Sequence, residues 1–326
     1  MACDSPIYVK KSVTFTGHNT GKDLKREVDI RISCGKCPGC KLRRIQEWVH
    51  RLQEEDKVSQ SAYFVTLSYA PHSVPISKKG FMTLSKTKYE GKKQIDSDLQ
   101  RFFKALRKRE QLQIRYYACG EYGDKRMRPH YHMILFNVSD AVHIGYDQKG
   151  HKLFRSENVL RSWMKDNTLI GDVYMGQVTN DSIAYTAKYI DKEKKIPIHK
   201  NDDRVKEFSL MSKNLGRTFI QDYDEEKKEW IPKKQINEYF KKHLGENFVH
   251  INGNKVPLAR YYRNKIFSEH EKQLSAQITA TNILLNEEKE EAKFLSKGKD
   301  YSVFKSLQRH YRYRKFYSNS KNRSYD

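Results

Sequence analysis

The chain has no long apolar run. No segment approaches the roughly 18 to 20 consecutive apolar residues that a membrane-spanning helix needs. The opening MACDSPIYVK lacks a basic patch followed by an apolar stretch, the mark of a secretory leader. Both absences predict a cytosolic protein with no membrane partner. Acidic residues are also few, 40 Asp+Glu against 63 Lys+Arg, which leaves a formal charge of +23. So large an excess predicts attraction to a polyanion, nucleic acid first, although a solvated basic surface would give the same count. Cysteine is scarce, with five in 326 residues, and a cytosolic chain does not normally hold structural disulfides. The 37% of apolar residues is lean. It is still enough for a core in one large or two modest domains, and it excludes a chain disordered throughout.

Four of the cysteines fall within residues 1–59. The run RRIQEWVHRLQEE (43–55) then places Ile45, Trp48, Val49 and Leu52 on one helical face. YFVTLSY (63–69) opens a β-rich stretch. SDLQRFFKALRKRE (97–110) predicts a helix with Leu99, Phe102, Phe103 and Leu106 inward, capped by Asp96, Ser97 or Asp98. QIRYYACGEYG (113–123) and HYHMILFNV (130–138) predict two strands joined by the connection GDKRMRP, and GDVYMGQV (171–178) a further one. The class is α+β, with sequence-adjacent strands antiparallel. The expected organisation is a Cys-rich N-terminal segment (1–59), a central domain (60–195), an extension (196–276), and a helix with a basic tail (277–326).

In RPHYHMILF, side-chain alternation sends His130 and His132 to one face of a strand and Tyr131 and Met133 to the other. Two neighbouring imidazoles can bind one divalent ion, with Glu121 at the end of the preceding strand as a hard third ligand. They can equally be strand histidines satisfied by hydrogen bonds. In SIAYTAKYIDK (182–192), a helix would set Tyr185 and Tyr189 one turn apart on one face, beside Lys188. Read alone, such a pair suits packing between helix and sheet.

In chain order, an apolar strand FVTLSY, a two-histidine strand and a helix with YTAKY resemble the three motifs of the HUH endonucleases. Within that group the chain resembles rolling-circle replication initiators with two tyrosines in the third motif. Tyr131 occupies the hydrophobic position between the histidines. CGKCPGCKLRRIQEWVHRL (34–52), EFSLMSKNLG (207–216) and LARYYRNKI (258–266) are similar to the initiators of gokushoviruses, single-stranded DNA phages of the microvirus family. The resemblance covers roughly residues 1 to 270.

It implies an HUH-type central antiparallel sheet flanked by helices, with a C-terminal helical extension, acting in the host bacterial cytoplasm. His130, His132 and Glu121 would hold Mg2+ or Mn2+ at the scissile phosphate. Tyr185 and Tyr189 would attack phosphorus in turn, cutting single-stranded origin DNA, holding its 5′-phosphate as a phosphotyrosine and later rejoining the strand. Lys188 would counter the charge on the phosphoryl oxygens. No general base stands out, but metal polarisation and nearby cations would assist a phenol whose free pKa is about 10. Because a G-x-x-x-x-G-K-[ST] loop is missing, a host helicase is expected to unwind and a host polymerase to extend. A relaxase or transposase of the same chemistry is the nearest rival. Relaxases usually carry three histidines and transposases one tyrosine, which favours the initiator. A zinc-containing DNA-binding protein without catalysis is the other.

Cys34, Cys37 and Cys40 form C-x2-C-x2-C, and Cys3 offers a fourth thiolate. Gly35, Pro38 and Gly39 supply tight turns, so structural Zn2+, no metal, and an iron–sulfur cluster are all open. Cys119 sits apart in a strand pattern. Basic and aromatic residues alternate in KNDDRVKEFSLMSKNLGRTF and LARYYRNKIFSEHEKQ, which suits single-stranded DNA or a helical cover over the sheet. QITATNILLNEEKEEAKFLS (277–296) predicts a helix, and the tail QRHYRYRKFYSNSKNRSYD a segment ordered on meeting DNA.

Overall fold

Seven strands make one antiparallel sheet: β1 (Ala62–Ser68), β2 (Arg115–Tyr122), β3 (Pro129–Phe136), β4 (Val142–Tyr146), β5 (Lys152–Arg155), β6 (Val173–Gln177) and β7 (Phe208–Met211). Their order is β7-β2-β3-β1-β6-β5-β4. The computed structural model describes residues 3–16, 23–90, 93–188, 196–251 and 253–321. These fall into two units, Trp48–Phe219 and a second formed by Met1–Glu47 with Ile220–Asp326. The α+β class and the antiparallel sheet with flanking helices agree with the sequence reading.

Alternation in the strands decides which residues meet which helix. On one face Val65, Leu67, Tyr131, Met133 and Leu135 are buried against Leu99, Phe102, Phe103 and Leu106. Those four belong to α2 (Asp98–Arg109), at the spacing expected of one helical face. Ser97 caps this helix: its side chain accepts from Gln100 N, and the Gln100 side chain accepts from Ser97 N, a complete capping box. Val159 of α3 (Glu157–Ser162) and Trp163 close the same layer.

Leu52, Tyr117, Ile134, Phe136, Ile183 and Leu215 form the core on the opposite face. α1 (Pro38–Asp56) contributes its residues from Trp48 onward there, with the Trp48 ring 4.9 Å from Tyr117. Arg51 Nε and Nη2 both donate to the Leu215 carbonyl, at 3.1 and 3.0 Å. Buried Glu55 pairs with Arg115 and accepts from Gly216 N at 2.7 Å, so the segment after β7 is held by charge-assisted bonds. Ile183 is presented by α4 (Asn180–Lys188), the helix that carries the first tyrosine.

β7 lies in the stretch read from sequence as part of an extension. It is instead an edge strand of the central sheet, with Phe208 opposite Gly120 and Met211 opposite Tyr117. Its four residues are too few for a period-2 signal, and register against β2 decides their pairing.

The second unit holds hairpins at Ile7–Thr16/Asp23–Ile32, Gln221–Asp224/Glu229–Pro232 and Phe248–Ile251/Asn254–Pro257. Its helices are α5 (Lys234–Lys242), α6 (Arg260–Ile266), α7 (Glu269–Leu295) and α8 (Tyr301–Lys321). α7 begins ahead of the stretch expected from apolar spacing, because Ser268 and Glu271 make a capping box. The basic tail is helical as far as Lys321. Arg312 pairs with Asp4 at 2.7 Å, and Lys41 Nζ donates to the Tyr317 hydroxyl at 3.3 Å. No described helix is long and apolar enough to cross a membrane.

Candidate active site

β2 and β3 pair so that Glu121 stands opposite His130, while β1 on the other side of β3 sets Thr66 opposite His132. Residues directly opposite in an antiparallel ladder project to the same face. Glu121, His130, His132 and Thr66 are thereby gathered on the face that α4 covers. The connection between β2 and β3 is closed by Gly123 N donating to the Arg128 carbonyl at 3.0 Å.

Glu121 Oε1 lies 2.8 Å from His130 Nε2 and 3.1 Å from His132 Nε2, and the two Nε2 atoms are 3.1 Å apart. Three donors at these separations could hold one metal ion. Ligands at roughly 2.1 Å in adjacent octahedral positions are about 3.0 Å from each other, so the set fits one facial triangle of an octahedral ion such as Mg2+ or Mn2+. The remaining coordination positions would face away from the sheet.

The imidazoles are held from behind. His130 Nδ1–H donates to the Arg128 carbonyl at 3.1 Å, which fixes the ring with Nε2 toward Glu121. His132 Nδ1 bonds the Thr66 hydroxyl at 2.9 Å. Such outer partners orient metal-binding imidazoles and sharpen their affinity. Glu121 and His132 are buried and His130 is half-buried, so ion access runs past His130. Burial pushes the Glu121 carboxyl up, but hydrogen bonds from His130 and His132 outweigh it and hold the group well below the usual carboxylate range. Glu121 is therefore an anion ready to neutralise a cation.

α4 delivers Tyr185 to this cluster. Thr179 starts the helix by accepting from Ser182 N at 3.1 Å, while Ser182 Oγ accepts from Thr179 N at 2.8 Å. Ile183, Thr186 and Ala187 are buried, which anchors one face to the sheet. Tyr185, half-buried on the neighbouring face, meets the His132 ring edge-on with centroids 5.3 Å apart. Phe64 completes the wall, stacked on His132 at 5.6 Å and edge-on to Tyr185 at 6.1 Å. Lys188 is the last residue of α4, and Tyr189 lies outside the described residues.

Thr66, Phe64 and the Arg128 carbonyl were not singled out from sequence. Alternation in FVTLSY did carry a signal, since Phe64, Thr66 and Ser68 share one face and the buried Val65 and Leu67 the other.

In the second unit, Cys3, Cys34, Cys37 and Cys40 bring their sulfurs within 4.8 Å of one another. Cys3 Sγ and Cys37 Sγ are 3.8 Å apart, Cys34 Sγ and Cys40 Sγ 4.0 Å. A tetrahedral ion with Zn–S of about 2.3 Å requires sulfurs about 3.8 Å apart, so the group could hold a single such ion. Backbone amides point at the sulfurs: Cys37 N and Lys36 N donate to Cys34 Sγ, and Asp4 N to Cys37 Sγ. Burial raises the Cys34 thiol, yet the amides of Cys37 and Lys36 help bring it down to about 6, whereas burial pushes Cys40 up to about 12. Buried Cys119 belongs to neither cluster.

Residues 62–194 match the family model of the replication-associated protein ORF2 type. The chain is 30% identical over 243 residues to the replication-associated protein ORF2 of Spiroplasma virus 4, which covers 69% of this chain and 71% of that protein. It is 26% identical over 280 residues to the replication-associated protein VP4 of Bdellovibrio phage phiMH2K, covering 83% and 78%. No solved structure matches. The matched segment spans the strands of the histidine cluster and the tyrosine helix. The chain belongs to the phage replication-associated proteins, the microvirus-type rolling-circle replication initiators.

Proposed function

We propose that this replication initiator is a metal-dependent nickase and strand-transferase that cuts single-stranded origin DNA with Tyr185 and Tyr189. The observation that carries the reading is the position of the Tyr185 ring, 5.3 Å from that of His132 within a triangle of Glu121, His130 and His132. A nucleophile and a cation site then share one phosphate-sized space. A bound Mg2+ or Mn2+ would act there as Lewis acid and positioner of the scissile phosphate.

The chain's own groups do the rest. His130, fixed through Arg128, and His132, fixed through Thr66, keep their Nε2 atoms aimed at one point. Phe64 and buried Ile183 hold Tyr185 against that point. The tyrosine oxygen, having lost its proton to solvent, attacks phosphorus; the P–O3′ bond breaks and the 3′-oxygen takes up a proton. The 5′-phosphate stays esterified to tyrosine, preserving the bond for rejoining, and the free 3′-hydroxyl primes synthesis. Lys188, beside Tyr189 in the sequence, would offset charge on the phosphoryl oxygens. Tyr189 would cut the regenerated origin while Tyr185 still holds the first 5′ end. The 3′-hydroxyl freed by that cut then attacks the first phosphotyrosine and releases a closed circle.

Zinc at Cys3, Cys34, Cys37 and Cys40 would be structural, leaving no open position for chemistry. Unwinding and extension would fall to a host helicase and polymerase in the bacterial cytoplasm. The test is incubation with single-stranded viral DNA and Mn2+, followed by denaturing electrophoresis. A covalent protein–DNA band is expected; binding without any covalent band would leave only a DNA-binding protein.

A further inference from the structure

A cavity of about 370 Å³ lies within the second unit, and its lining is unlike an ordinary apolar gap. Arg43 of α1, Arg260 and Arg263 of α6, and Lys272 of α7 converge on it. The carboxylates recorded near these cations are two. Glu47 accepts from the Arg260 backbone amide at 3.2 Å, and the exposed Glu269 pairs with Lys272 at 2.7 Å. Four cations against two carboxylates leave a positive surplus in a recess.

Arg263 is the central observation. Its Nε is fully buried and makes no hydrogen bond among the described residues. A buried guanidinium N–H left without an acceptor costs free energy, of order 1–3 kcal/mol, and a chain keeps one where a ligand supplies the acceptor. Burial lowers the Arg263 pKa, Glu47 opposes the shift, and repulsion from Arg43 and Arg260 adds to it. An anion entering the cavity would relieve both the repulsion and the missing bond.

The rest of the wall is prepared for a polar guest. Asn247 Nδ2 donates to Ser275 Oγ and Thr279 Oγ1 at 3.0 and 2.9 Å, and Ser275 Oγ donates on to the Leu244 carbonyl. This network fixes the floor in one arrangement. Arg43 Nη2 also contacts Cys40 Sγ at 3.9 Å, and Cys3 itself lines the cavity, so the four-cysteine cluster props one side.

We infer that this cavity is a phosphate-binding pocket that captures one nucleotide phosphate, with Arg263 Nε and the guanidinium of Arg260 as its principal donors. The volume lies at the small end of ligand sites, room for one nucleotide and no more. A single strand threaded past it and a free nucleotide offer the same phosphate chemistry. The site is separate from the histidine cluster and does not depend on the nicking reaction being right.

The experiment uses the full chain and a labelled oligothymidylate, with affinity measured across salt concentrations for wild type, Arg263→Gln, Arg260→Gln and a control of equal charge change, Lys227→Gln. Arg260→Gln guards against misfolding, because its side chain is exposed, and thermal unfolding of each variant is recorded beside the binding. Both arginine variants should bind about 5- to 10-fold more weakly than the control. Each should lose about 0.7 from the slope of log K against log salt, the share of one phosphate on a single strand. Competition with thymidine monophosphate separates the sources: displacement by the mononucleotide identifies a free-nucleotide site, displacement only by oligonucleotides a backbone site. If both arginine variants match the control in affinity and slope, the pocket takes no phosphate and the inference fails, whatever the covalent assay shows. If the covalent assay fails while the arginine effects remain, the pocket stands and the nicking mechanism falls.

Discussion

Glu121 and His130 face each other across adjacent antiparallel strands, with Glu121 Oε1 and His130 Nε2 2.8 Å apart. Removing either leaves two donors where an octahedral ion needs a facial three. His130→Ala, His132→Ala and Glu121→Gln should each cut the nicking rate by about 1,000-fold or more, since metal charge stabilisation contributes several kcal/mol. DNA affinity should change little, being carried by the basic residues. Undiminished nicking by all three in Mg2+ would sink the assignment.

Thr66 touches the site only through His132 Nδ1. Thr66→Val keeps the shape and deletes the hydroxyl, so the ring loses its orientation. Mn2+ affinity, followed by calorimetry, should weaken about 10- to 100-fold while the unfolding temperature shifts little. An unchanged affinity would show that Phe64 stacking alone positions the ring.

The paired tyrosines predict an asymmetry between single and double variants. Tyr185→Phe and Tyr189→Phe should each retain some covalent capture of an origin oligonucleotide, and the double variant none. Neither single variant should sustain repeated circle release, because one phenol cannot hold one strand and cut another. Covalent adducts from the double variant would return Tyr185 to a packing role against Phe64.

For the four cysteines, reduced protein purified without oxygen should carry about one zinc per chain. A strong chelator should then destabilise the second unit, because ligand binding and folding are coupled there. Elemental analysis with no zinc refutes the site.

Phe102 is fully buried between α2 and the sheet, and stacks edge-on with Phe103 and Trp163. Phe102→Ala should cost about 3–5 kcal/mol of stability. Leu307→Ala on α8, where the side chain is 64% exposed, should stay within about 0.5 kcal/mol. Chemical denaturation of the two variants side by side measures the contrast.

The sequence made the site legible where the information was local. A strand's period of two was enough to place His130 and His132 together and Tyr131 and Met133 opposite, and the Ser97 cap was within the range expected. Glu121 was harder, because its partner depends on the register of the β2–β3 pair, set through a connection in which Met127 takes φ of 49°. Thr66 was out of reach, since no local pattern says that β1 lies beside β3. The same reason hid β7. The start of α7 was missed for a different cause: its first two turns are polar and capped, so they carry no apolar spacing at all.

Glu121 and His130 are only nine residues apart along the chain, whereas Thr66 is 66 residues from His132. Bringing the ends of so short a connection together costs little chain entropy, while recruiting β1 requires a much longer closure. The cation-binding donors are thus expected to be the first part of the centre to mature and the tyrosine helix, still further along the chain, among the last. Loading with metal would then precede arming with the nucleophile, and a partly synthesised chain would hold its ion before it could harm any strand of DNA.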